Sequence, residues 1–153
     1  MKTEIAESIT RDWDLVFAES EYIVMQEFIK LLKKGNVKEL EYAMELYLDD
    51  IKKQEERELL YNLRDLMQTI LLWNYSETYR SSDNAVKISN YKHEINMAID
   101  FEGCLSNETL KISWSKTFQE ARERAAIFEN KIINFKELEW DEVFNNTYSL
   151  FHV

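Results

Sequence analysis

The sequence of 153 residues contains no proline and only two glycines, Gly35 and Gly103. An all-β fold needs both residue types for its many tight reversals, so that class is excluded, as is any glycine-rich loop that would cradle a phosphate. A single cysteine, Cys104, excludes an internal disulfide framework and a multi-cysteine zinc site. Its place after Gly103, before the start of a helix, suits a half-buried, inert thiol. Histidine is almost as scarce. A di-metal helical bundle needs two Glu-x-x-His pairs, but only His93 and His152 are present, and Asn90 stands three residues before His93. No cofactor or metal is therefore expected. The longest aliphatic-aromatic runs, such as Ile70-Leu71-Leu72-Trp73, are far too short to span a membrane, and no basic group followed by an apolar run opens the chain. The expectation is a cytoplasmic protein without a membrane partner.

Positive charge is also short. Nineteen Lys and Arg face 29 Asp and Glu, a net charge of −10, which repels phosphate backbones and argues against a nucleic-acid ligand. The one basic cluster, Lys30, Lys33, Lys34 and Lys38, lies around a helix end, where cations complement the carbonyl end of the helix dipole. Aromatic residues, by contrast, are plentiful: four Trp, eight Tyr and eight Phe exclude intrinsic disorder. A chain of this length buries about 68–70% of its unfolded surface, so one domain over 1–153, with a core from about 10 to 144, is expected.

The spacing of apolar residues is helical throughout. Trp13, Phe17, Ser20, Val24, Phe28 and Leu31 step by three or four, predicting a helix from Thr10, as its cap, to Lys34, stopped by Gly35-Asn36. Leu40, Met44, Tyr47 and Ile51 form the next stripe, followed by the polar run Lys52–Glu58 and a second stripe, Leu59, Leu63, Leu66, Ile70 and Trp73. The eight residues from Ile51 to Leu59 turn the apolar face by about 80°, so residues 38–75 form either two helices or one that changes partners midway. Asn74–Asn84 reads as a loop. A third helix carries Ile88, Tyr91, Ile95, Ala98 and Ile99 and ends at Gly103. A fourth, capped by Ser106, carries Leu110, Trp114, Phe118, Ala121, Ala125, Phe128 and Ile132, and a short helix around Trp140–Phe144 closes the chain. The fold class is all-α, an irregular bundle of four to five helices.

Catalytic constellations are sparse. Asp49, Asp50, Glu55, Glu56 and Glu58 crowd one segment, and at helical spacing with Lys52 and Lys53 they make a solvated charge network. The most distinctive stretch runs from Leu71 to Ser82, where an aliphatic helix ends in Trp73 and Tyr75 and is followed by Tyr79 and Arg80. Aromatic and arginine side chains dominate interface hot spots, which makes Trp73, Tyr75, Tyr79 and Arg80, with Asp49 and Asp50, the candidate recognition surface. The alternative is structural: Trp73 and Tyr75 plug the end of the bundle, and Arg80 bridges acidic helices.

At the same stretch, Glu56-Arg57-Glu58-Leu59-Leu60, continuing through Leu63, Leu66 and Leu71 to Trp73-Asn74-Tyr75, resembles the core motif of the bacterial domain-of-unknown-function family number 29. Leu31-Leu32-Lys33-Lys34-Gly35, Asp49-Asp50-Ile51, Glu108-Thr109-Leu110-Lys111 and Phe118 with Ala121-Arg122 are similar to further motifs of that family, in the same order, over roughly Ser20 to Trp140. Thr69 stands where the family usually has His, and Leu72 where it has Lys. The tryptophan expected near Asn84 and the late prolines are missing. The resemblance implies an all-helical fold and a bacterial origin, and it assigns no biochemical function. Three functions follow as expectations. The first is a non-enzymatic interaction module that binds a protein partner or its own copy. The second is a hydrolase or other metal-assisted enzyme built on the acidic helix Asp49–Glu58 with Tyr75 and Arg80. The third is an acidic, antitoxin-like or DNA-mimicking decoy.

Overall fold

In the computed structural model, residues 11–151 are described; the expected cap Thr10, and His152, lie outside them. Among the described residues there are seven α-helices and no strands: α1 (Trp13–Phe17), α2 (Glu21–Lys33), α3 (Val37–Tyr75), α4 (Ser82–Phe101), α5 (Asn107–Ile112), α6 (Trp114–Glu129) and α7 (Trp140–Phe144). The all-α expectation holds. The chain divides into two compact units, one ending at Lys53 and the other starting at Gln54. The division falls in the polar run that separates the two apolar stripes of α3. That helix is nevertheless continuous over 39 residues, which settles the question left open for residues 38–75.

In the first unit, the single helix expected up to Lys34 is two. Asp12 caps α1, its carboxylate accepting from the Asp14 N–H at 3.1 Å, and Ser20, in extended backbone, caps α2 through the Ile23 N–H. Both are residue types that satisfy the orphan donors of a helix start, and each opens a helix of its own. Helix α2 ends as expected. Gly35 adopts φ 70° and its N–H bonds to the Leu32 carbonyl, while the Asn36 N–H reaches Leu31, a left-handed stop that turns the chain straight into α3. The two helices fold back on each other, with Phe28 and Tyr47 ring to ring at 5.8 Å. Trp13 and Phe17 of α1 pack on those same rings, closing a small core of Trp13, Val24, Phe28, Leu31 and Ala43.

The second unit is built around the C-terminal half of α3. Leu59 and Leu63 are buried on one line, but from Leu66 to Trp73 nearly every side chain is buried, Thr69 included. A helix apolar all round is a helix surrounded, and its neighbours supply Ile88 and Ile95 from α4, Leu110 from α5, Phe118, Ala121 and Ala125 from α6, and Val143 from α7. The fourth expected helix is also split. Ser113 interrupts it between α5 and α6, and α6 stops at Asn130, whose φ of 52° is left-handed. Ile132, expected on its apolar stripe, therefore lies beyond the helix and is fully exposed, and Phe128 is largely exposed. Gly103 falls just past α4, whose cap is Glu102, as expected, and one further expectation is corrected: Cys104 is exposed rather than half-buried.

Candidate recognition surface

The end of α3 and the turn that follows it carry four of the six residues singled out from sequence. Trp73 is only 7% exposed and stacks edge-on against Tyr148 at 6.1 Å. Tyr75, half exposed, meets Phe135 at 5.8 Å, and half-buried Tyr79 meets Phe128 at 5.6 Å. Burial pushes the Tyr79 and Tyr148 phenols above their ordinary pKa. Arg80 donates from Nε to the Trp73 carbonyl at 2.9 Å, so its guanidinium satisfies one of the last carbonyls of α3 and places its charge at the negative end of the helix dipole. Lys92 lies over the Tyr148 ring and donates to the Asn146 carbonyl at 2.6 Å; burial holds its pKa down. The stretch thus ties the end of α3 to the C-terminal segment, leaving the edges of Tyr75 and Arg80 outside.

Asp49 and Asp50 are exposed and belong to the first unit, whereas the aromatic cluster belongs to the second. In the acidic run, partial burial and the charges of Glu102 and Glu58 hold the Glu55 carboxyl above its ordinary pKa. Glu58 and Tyr75 are separated by about 25 Å of continuous helix, so the acidic run and the aromatic end do not converge. No ion pair joins Lys52–Glu58 among the described residues, where the bond from Gln54 to Glu58 is the one side-chain link. Among the described residues, no three His, Cys, Asp or Glu side chains come together as a metal site would require, and His93 is an exposed helix residue.

Three features escape sequence reading. One is a half-buried charge cluster between α3 and α6. The Asp65 carboxylate receives Arg64 at 3.0 Å and Arg124 at 3.7 Å, and Arg124 Nε also donates to Gln68 at 2.9 Å. Spacing along one helix cannot reveal a pair made across two. Beside it, the buried Thr69 hydroxyl donates to the Asp65 carbonyl at 2.7 Å, meeting its own need within the helix. A shallow, solvent-open cleft of about 720 Å³ also runs along the end of α6, lined by Arg122, Ala126, Ile127 and Ile132 among others.

The third feature is apolar and lies in the first unit. Tyr22, Met25, Ile29 and Leu32 on α2 are all exposed, Tyr22 at 70%, and so are Val37, Met44, Leu48 and Ile51 on α3, Leu48 at 67%. Met44 and Ile51 belong to the stripe expected to be core; the side of α3 packed on the core is instead Leu40, Tyr42, Ala43, Leu46 and Tyr47. At about 100° per residue, the exposed line of α2 lies about 110° round from Val24–Phe28–Leu31. That of α3 lies about 120° round from the centre of its packed side, in the same rotational sense. In antiparallel helices a shared sense places both lines on one side of the pair. Helix α1 occupies the other side, where Arg11 binds Glu27 at 2.6 Å. Together the eight side chains expose on the order of 800 Å², more than the 300–600 Å² of the largest apolar patch on a typical monomer.

The family model described as domain of unknown function DUF29 matches residues 17–149, across both units. No curated protein and no solved structure matches the chain. Among the described residues, no helix is long and apolar enough to cross a membrane.

Proposed function

The chain belongs to the DUF29 family, and from that premise we propose that it is a non-enzymatic interaction module whose α2–α3 hairpin binds a protein surface. The observation that carries this reading is the alignment of eight exposed apolar side chains on one side of the hairpin. Single exposed apolar residues are ordinary, but a contiguous two-helix face of this size is the mark of an interaction site. A tyrosine and two methionines lie within it. Tyrosine is a frequent hot-spot side chain, and methionine adapts its shape to a partner. The α3 end at Trp73 contributes less to this proposal, because Trp73 is buried and Arg80 is engaged with the backbone.

A photo-crosslinking residue at Leu32 or Leu48, introduced in the cell that makes the protein, tests the reading. Covalent protein adducts are expected from both positions and not from Phe101, which is equally exposed in the second unit. The reading fails if neither hairpin position yields an adduct.

A further inference from the structure

We propose that the occupant of the hairpin face is a second copy of this chain, packed antiparallel through a two-fold axis. The inference rests on the interaction reading above and adds the identity of the partner. A two-fold interface must be self-complementary, the same patch meeting itself, and the hairpin is so in two respects.

The first is area. About 800 Å² from each copy is what each partner contributes to a standard stable interface. The helix α2, with 13 residues, is about 20 Å long, so two such hairpins face to face make a short four-helix arrangement with apolar residues along its centre.

The second is charge, which runs with opposite sign along the hairpin. The turn end carries Lys30, Lys33, Lys34 and Lys38 against Glu27, Glu39 and Glu41, a small positive surplus with Lys30 already bound to Glu27. The opposite end, before the polar run that starts at Lys52, carries Glu19, Glu21, Glu45, Asp49 and Asp50. A parallel pair would set the five carboxylates of one open end against the five of the other. An antiparallel pair sets the basic turn of each copy on the acidic end of its mate, Lys33 near Glu21, with Met44 close to the axis and facing its own counterpart. A foreign partner would need one surface that reproduces this polarity and the apolar centre together; a second copy has it by construction. In a chain of net charge −10, unpatterned self-association would be opposed by repulsion, and the local polarity of the hairpin offsets that.

Sedimentation equilibrium of the full chain at micromolar concentration is expected to give twice the 18.4 kDa of one chain. Leu48→Glu places a charge within the face, one turn from the axis, and should weaken dimerisation about 100-fold or more, with the helical circular dichroism unchanged because Leu48 is exposed in the single chain. Phe101→Glu, outside the face, should leave the dimer intact. Orientation is read by two further variants. Lys33→Glu weakens the dimer and Lys33→Glu with Glu21→Lys restores it. In a Cys104→Ser background, Met44→Cys is joined to its copy by a short bifunctional maleimide, whereas Leu32→Cys is not. A mass of one chain, or a dimer indifferent to Leu48→Glu, overturns the proposal. A single chain whose Leu48 crosslinker still captures a different protein removes the second copy and keeps the interaction reading, while a single chain with no adduct removes both.

Discussion

From Leu66 to Trp73 in the second unit, α3 is buried on nearly every side, whereas in the first unit α2 and the start of α3 each bury one line and leave a second in solvent. The amino-acid types are much the same in the two places: Leu, Ile, Met and aromatics at three- and four-residue spacing. What differs is the supply of neighbours. Around Leu66–Trp73 there are α4, α6, α7 and the residues between them, and even the small Ala121 and Ala125 are fully buried, which lets helices approach closely. The hairpin has α1, five residues long, on one side only. Apolar periodicity therefore states that a face wants burial, and the number of elements at hand decides whether the chain provides it.

The sharpest way to test that contrast is to remove equivalent side chains from the two places. Leu66→Ala, fully buried, should cost about 2–5 kcal/mol in urea unfolding. Leu48→Ala, measured at protein concentrations low enough to keep chains apart, should change stability by no more than about 0.5 kcal/mol. Similar losses at both positions would erase the distinction between a closed core and an open face. A smaller effect probes how the hairpin is made. Gly35→Ala forces a β-carbon into a left-handed backbone at φ 70°, with no neighbour within 4 Å to clash, so the loss is backbone strain alone, about 1–2 kcal/mol, and Gly35→Asn should recover part of it. The smallest concerns the closed side of the hairpin. Glu27 accepts from Arg11 at 2.6 Å and Lys30 at 3.0 Å, first through Arg11, and its pKa is lowered from 4.5. The stability it contributes is present above its unfolded value near 4.5 and is lost as pH falls through the lower folded value. Glu27→Gln should remove that part of the acid dependence, an effect of under about 1 kcal/mol because both cations are well exposed.

Much of this was legible in the residues. Helix content, the stop at Gly35, the short helix at Trp140–Phe144 and membership of the family follow from spacing, caps and motifs. The misjudged points share one cause: a three-to-four step can run through a break. Phe17 to Ser20 and Leu110 to Trp114 keep helical spacing across Ala18–Ser20 and Ser113, although Asp12 and Ser20 were both available as caps. Helix α4 likewise starts at Ser82, inside the segment read as loop, because Ser81 caps it through the Asn84 N–H. The recognition residues show a further limit. Tryptophan and arginine are hot-spot types and also good plugs, and only coordinates reveal that Arg80 turns back to the Trp73 carbonyl. The hairpin face was hidden for the opposite reason, since Met44 and Ile51 looked like core.

One feature of α3 reaches beyond its role as a connector. From Ile51 to Glu58 no side chain is buried, and among the described residues no ion pair braces the stretch. Apart from the bond between Gln54 and Glu58, that part of the helix is held by its own backbone ladder, worth on the order of 1 kcal/mol per hydrogen bond, while Leu59 onward is anchored by packing. Helices ordinarily fray from their ends. This one should breathe first in its middle, so its central amides should trade their protons with solvent sooner than those around Leu66. Lys52, Lys53 and Arg57 then become the points where trypsin would part the two units.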